Sequence, residues 1–319
     1  MNNKYFYIKL QDPGYNLKTN PILKNYISNF TPIHMDEKKC CNIKNISDIL
    51  DKYNKINNII VLYQHRSVTT LKNNIVKYLN NKNNVKFKFY LFTFDFWNSS
   101  SAPHFKPINF KVITFAKNVE QLDIYFKCNH KKWENNLIFK NTWCCYNESI
   151  LEFNHNPKNK LLISGSRGPC YPERSILDRQ SITNKTLIVH KYKFGGNDII
   201  SKEFIYNKRL HSYFACFSTS VYPNKINTHA ILLKTFEILG SGSLLVMPLK
   251  EEKYIGEIGL VNMKNCYLMD FSKDLNPQIN YIFDNIELFN KIRKEGHVHA
   301  KNNLNEQKMI EEIKQIIEQ

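Results

Sequence analysis

The stretch KTFEILGSGSLLVMPL, Lys234–Leu249, runs from helical sequence through two glycines and two serines into an unbroken apolar segment. An apolar run of this length, bounded by turn residues, fits a strand covered on both faces of a parallel sheet. A helix leading straight into such a strand is half of a crossover unit. The same signature recurs on both sides. Near-continuous apolar or β-branched runs cover Leu161–Ser166, Thr186–His190, Tyr213–Ser218 and Cys266–Asp270, with a helix expected over about Thr228–Leu239 and a strand over Ser243–Pro248.

Upstream of the polar, turn-rich NHNPKNK (Asn154–Lys160) the alternation continues. Strands are expected over Lys4–Leu10, Asn58–Gln64, Val85–Phe94 and Phe110–Phe115, with helices near Ile46–Tyr53 and over Val68–Leu79. Ser67 and Thr69 can cap the second helix. The chain ends in helical sequence, Asn276–Gly296 and Leu304–Gln319. The expected fold class is α/β, with two doubly wound, Rossmann-like domains at 1–153 and 154–319. The C-terminal helices belong to the second domain, the last expected to pack back on the first.

A chain of 319 residues with 42% hydrophobic and 13% aromatic content can build two cores. Neither a secretory leader nor a span of 18 apolar residues is expected, which places the chain in a cytosol-like compartment. Eight cysteines form no CxxC and no zinc spacing, so free and mostly buried thiols are expected. The formal charge of +17 comes from lysine, which outnumbers arginine 39 to 6 in a chain crowded with Asn and Ile. Those residues have AT-rich codons, as in genomes of some giant DNA viruses and protists. A cytoplasmic site, or a virus factory if the source is viral, follows as the expectation. Arginine is the usual reader of phosphate and base edges, and its scarcity makes each one worth locating.

Ligands of open parallel sheets bind beyond the carboxyl ends of the strands. One such turn is SGSRGPCYPERS, Ser164–Ser175. Gly165 and Gly168 let backbone amides approach an anion, and Ser166, Arg167 and Arg174 sit near the start of the next helix, where the dipole favours negative charge. A diphosphate suits this place, and so does a tight turn with two surface arginines. No GxxxxGK[ST] occurs, which removes the main support for an ATPase or GTPase. Glu237, near its helix C-terminus, works against the dipole, so a hydrogen-bonding role such as accepting ribose hydroxyls competes with a solvated one. Gly242 permits a sharp turn and Ser243 adds a donor, although a glycine-ended helix is also a common structural stop.

The runs NHNPKNKLLISGSRGPCYPERSIL, YNKRLHSYFACFSTSVYPNKINTHAILLKTFEILGSGSLLV and IRKEGHVHAKNNLNEQ together resemble the nucleotide-binding half of GT-B glycosyltransferases. The likeness is to group-1-like transferases related to spore-coat maturation proteins, some of them in giant viruses. It covers about Asn154–Gln307. The resemblance implies two Rossmann-like domains facing a cleft and a nucleoside-diphosphate-sugar donor bound mainly by the second. It implies a glycan, protein or lipid-linked acceptor. By position it makes Glu237 the ribose-binding carboxylate, Arg167 and Arg174 the diphosphate cations, and Gly242 with Ser243 the phosphate-facing turn. Gly165, Ser166, Ser218 and His229 complete the donor-side candidates. His229 stands where many retaining members carry a second glutamate, eight positions before Glu237.

Such enzymes typically use protein cations rather than a bound metal or other cofactor, and the sequence contains no DxD. His297 and His299 form an HxH without a further ligand at a recognisable spacing. For deprotonating an acceptor, Asp95 at the end of an apolar strand is the first candidate, followed by His65 and His104. A catalytically degenerate GT-B scaffold is the first alternative. A basic nucleic-acid-binding protein is the second, but no zinc finger, RRM signature or Arg-spaced basic helix supports specific nucleic-acid recognition. Lysine-rich surface would also favour peripheral contact with anionic membrane.

Overall fold

A computed structural model describes residues 4–10, 26–35, 42–63, 69–93, 108–114, 119–120, 131–140, 143–165, 171–190, 207–220 and 231–319. The chain divides into two compact units, one of Met1–Thr142 with Ile310–Gln319 and one of Trp143–Met309.

The first unit carries strands β1 (Tyr5–Leu10), β2 (Thr31–Met35), β3 (Ile59–Tyr63), β4 (Lys88–Thr93), β5 (Lys111–Thr114) and β6 (Leu137–Phe139). They form one sheet in the order β2-β1-β3-β4-β5-β6, and every pairing is parallel. Helices α1 (Ile43–Leu50) and α2 (Thr69–Asn81) cover one face. The Asn42 side chain accepts from the Asn45 amide and caps α1. Alternate residues Ile60, Leu62, Phe89 and Leu91 join Ile46, Leu50, Ile75 and Leu79 in a single core. Tyr90 points the other way, and its hydroxyl reaches the carbonyl of Ile317 at 3.4 Å.

Two strands of this sheet fall outside the sequence expectation. β2 contains Pro32, which reads as a strand breaker, yet β2 is an edge strand and a missing N–H costs nothing on the open side. β6 is only three residues long.

The second unit builds its sheet from β7 (Lys158–Ser164), β8 (Leu187–His190), β9 (Tyr213–Phe217), β10 (Leu244–Pro248) and β11 (Tyr267–Met269). The order is β11-β10-β9-β7-β8, again wholly parallel. Period-two alternation sends Leu161, Ile163, Phe217 and Val246 to one core and Leu162, Cys216, Leu245 and Met247 to the other. Both faces are therefore buried, which is why these strands read as unbroken apolar runs. The helices here are α3 (Pro172–Gln180), α4 (Leu233–Gly240), α5 (Glu252–Gly256), α6 (Leu275–Asp284) and α7 (Ile286–Asn303). A last helix, α8 (Glu306–Glu318), starts in the second unit, and its residues from Ile310 belong to the first. No helix among the described residues is long and apolar enough to cross a membrane.

Arg293 of α7 is buried at 1% exposure. Its Nε donates to the Gly242 carbonyl at 2.6 Å, one Nη to Asn290 Oδ1 at 2.8 Å and the other to the Asn154 carbonyl. The guanidinium lies 4.2 Å from the Phe153 ring centre and 5.3 Å from that of Phe214. Burial lowers its pKa to about 10, so it stays charged at neutral pH.

Cys144, Cys145, Cys216 and Cys266 are free and buried, while Cys40, Cys41, Cys128 and Cys170 lie outside the described residues. Burial pushes the Cys216 and Cys266 thiols up to about 12 and raises those of Cys144 and Cys145 as well. Because the thiolate is the nucleophile, these four should resist alkylation in the native protein at pH 8. Peptide mass mapping before and after unfolding checks this. Rapid native labelling of Cys216 would show the core to be open.

Candidate functional site

Both sheets change strand direction of progress once, between β1 and β3 and between β7 and β9. In doubly wound sheets the crevice beyond the carboxyl ends at that point takes the ligand. The described site lies at the second of these crevices.

β7 ends at Ser164, and Gly165 turns the chain with φ +101, a conformation that a side chain disfavours. Space requires glycine as well. A Cβ at this position would meet Lys234 Nζ and would lie 3.0 Å from an Nη of Arg174. Two cations from distant parts of the chain thus converge on one backbone turn.

Each cation is placed by its local sequence. In YPER, Pro172 starts α3 as a helix-compatible first residue, and the Arg174 guanidinium stacks 4.2 Å above the ring of Tyr171, the N-cap residue. Arg174 is only 3% exposed. Lys234 sits in the first turn of α4, and its Nζ donates to the Ser164 carbonyl at 2.6 Å. Glu237 follows three residues later, which puts it on the same helix face, half-buried. Side chains on a helix lean toward its N-terminus, so Glu237 leans toward the edge that Lys234 occupies.

Below this edge the hydroxyls are used in construction. The Ser218 hydroxyl meets Thr235 Oγ1 at 3.1 Å and ties the end of β9 to α4. Thr219 donates to buried Glu173 at 3.2 Å, and Glu173 also pairs with Lys250. Ser220 donates to fully buried Glu251 at 2.5 Å. The sequence reading did not single out Lys234, Tyr171, Glu173, Lys250 or Glu251. Helical spacing from Glu237 was the signal that could have found Lys234, whereas the Glu173–Lys250 pair joins turns that no local pattern connects.

Gly242 and Ser243 lie elsewhere. α4 runs from the carboxyl edge down to the amino edge, and the turn that follows it precedes β10. Gly242 has φ +74, and the Ser243 hydroxyl donates to the carbonyls of Leu210 at 2.6 Å and Tyr213 at 2.9 Å. The structure therefore does not bring this turn to the edge where Gly165, Arg174 and Lys234 meet. Its glycine reverses the chain, and its serine fastens the start of β10 to Leu210 and to the start of β9. Ser166, Arg167 and His229 lie outside the described residues, as do Asp95, His65 and His104.

Among the described residues no group of three or more His, Cys, Asp or Glu side chains is gathered as a metal site. His297 Nδ1 donates to the Leu239 carbonyl at 3.1 Å, and His299 Nε2 to that of Ile258 at 2.8 Å. Burial lowers the pKa of His297, an effect that its bond to Leu239 opposes only in part. The unfolded chain then binds a proton that the folded chain refuses as pH falls through about 6.5, so folded stability drops there. A His297→Asn variant should show a flatter loss of stability below that pH in chemical denaturation. An equal slope would remove His297 as the cause.

No protein-family model matches the sequence, and no curated protein matches it. Solved structures do match in shape. The Anabaena protein Alr3699/HepE in complex with UDP-glucose aligns with a TM-score of 0.62 at 8% identity, over 98% of this chain and 99% of that one. A glycosyltransferase from Rickettsia africae aligns with a TM-score of 0.58 at 14% identity, over 98% and 97%. TarM aligns with a TM-score of 0.55 at 14% identity, over 87% of this chain and 58% of that one. The fold is α/β of the GT-B kind, with two parallel sheets and C-terminal helices.

Proposed function

We propose that the protein is a glycosyltransferase that moves a sugar from a nucleoside-diphosphate-sugar to a glycan, protein or lipid-linked hydroxyl. The convergence of Arg174 and Lys234 on Gly165, at the switch point of the second sheet, carries this reading. UDP and UDP-glucose in the similarly folded Anabaena protein support it.

In this proposal Arg174 and Lys234 hold the diphosphate, and Glu237 accepts from the ribose hydroxyls. Ser166, Arg167 and His229 are its further donor-binding candidates. The acceptor oxygen attacks the anomeric carbon, its proton passes to a base, and the bond from that carbon to the diphosphate breaks. Asp95 is the first candidate base, with His65 and His104 next. Negative charge then grows on the departing diphosphate, where fixed cations stabilise the transition state more than the bound donor. This supplies the electrostatics without a metal or another cofactor, within a cytosol-like compartment.

Release of nucleoside diphosphate from UDP-, GDP- and ADP-sugars, followed with EDTA or with Mg2+, tests the proposal. Turnover that persists in EDTA is the expected result. Nucleotide binding without release on a broad acceptor panel would instead make the chain a non-catalytic GT-B scaffold.

A further inference from the structure

We infer that the amino edge of the first unit's sheet is a docking surface for an anionic lipid membrane. This inference is independent of the glycosyltransferase reading. Four segments lead into four neighbouring strands: DKYNKINN (51–58) before β3, NNKNNVKFK (80–88) into β4, INFK (108–111) into β5 and KKWENN (131–136) before β6. They hold eight lysines against two acidic residues, Asp51 and Glu134, so these short segments supply +6 of the chain's +17. A lysine bias spread evenly over the sequence would not concentrate charge here. Asp51 is already engaged by Lys82 and by the Tyr78 hydroxyl at 2.5 Å.

The face is held as one piece by asparagines. Asn54 donates to the Asn84 carbonyl at 3.2 Å and accepts from the Lys86 amide at 2.7 Å, joining the first two segments. Asn109 donates to the Lys82 carbonyl at 3.1 Å, and Asn136 to that of Ile108 at 3.2 Å, joining the rest. Lys4 before β1 extends the basic edge, and Glu318, which accepts from Tyr5, borders it.

Among the lysines stand two aliphatic side chains that the fold leaves in water, Ile56 at 72% and Ile108 at 52% exposure. In the fourth segment half-buried Trp133 follows Lys131 and Lys132, with Lys132 Nζ 4.5 Å from its ring centre. Isoleucine offers nothing to a nucleic-acid phosphate, and a ring already covered by an ammonium is poorly placed to stack on a base. Acyl chains below a negative headgroup layer accommodate all three features: aliphatic tips, an interfacial tryptophan and lysines around them.

The test is co-sedimentation of the full chain with phosphatidylcholine vesicles, with and without phosphatidylserine. Binding should require phosphatidylserine and weaken with salt. Lys86→Glu with Lys111→Glu should lower the partition by about tenfold or more. Ile56→Ser with Ile108→Ser should lower it by about tenfold. Both pairs alter exposed side chains, and unchanged melting temperatures confirm that they fold. No binding to phosphatidylserine vesicles, or full retention by either pair, would overturn the inference. Retention by the isoleucine pair together with displacement by a single-stranded oligonucleotide would assign the face to nucleic acid instead.

Discussion

Replacing Lys234 with methionine is expected to weaken binding of the preferred nucleoside diphosphate by about tenfold to a hundredfold, the range for losing one charge-assisted hydrogen bond. Binding of the unphosphorylated nucleoside should stay the same. Methionine keeps the unbranched apolar stem and helix propensity, so the change falls on the ammonium that meets Gly165 and the Ser164 carbonyl. Glu237→Gln makes the complementary prediction. If its carboxylate accepts from ribose, nucleoside and nucleoside diphosphate should weaken together, by about tenfold. Isothermal titration separates the two patterns. Equal weakening of both ligands by Lys234→Met would mean that the lysine shapes the turn and does not meet phosphate.

The second large effect concerns stability. Arg293→Ala should destabilise the second unit by about 3 to 5 kcal/mol, since it leaves carbonyls of Gly242 and Asn154 without their donor and opens a cavity between Phe153 and Phe214. In a domain of this size that corresponds to a fall in melting temperature of about 10 °C. Arg293→Lys keeps a charge but cannot span three acceptors, so it should lie between the wild type and alanine. Differential scanning calorimetry measures both. A fall of only a degree or two for alanine would mean that the guanidinium contributes little to holding α7 on the sheet.

Much of the fold was legible because burial on both faces leaves a plain trace. LLIS, YFACF and SLLVM have no polar face, and each became a central strand. Local reading failed where context decided the outcome. TPIHM holds a proline and pairs as β2 at the edge of the sheet, where proline is tolerated, and LIF is too short to stand out. At the site, glycine and arginine near a strand end pointed to Gly165 and Arg174. The second glycine turn shows the limit of composition. GSGS has the residues of a phosphate loop, yet it follows a helix and leads into a strand, and such turns in a parallel sheet return to the amino edge. Turns from strand to helix reach the opposite edge, so direction along the chain carries information that residue type alone lacks. The partners of Glu173 were hidden for another reason. Lys250 and Thr219 approach it from later turns, and only the assembled sheet brings them together.

The central claim is that the crevice beyond β7 and β9 holds a nucleotide through Arg174, Lys234 and Glu237. Its most direct test is thermal unfolding in EDTA with UDP, GDP, ADP or CMP, on the wild type and on a Lys234→Met, Glu237→Gln double variant. Ligand at about 100 times its dissociation constant adds roughly 2.7 kcal/mol of stability. One nucleotide family should raise the wild-type melting temperature by several degrees and leave the double variant unmoved. No shift with any nucleotide, or an equal shift in both proteins, would contradict the account.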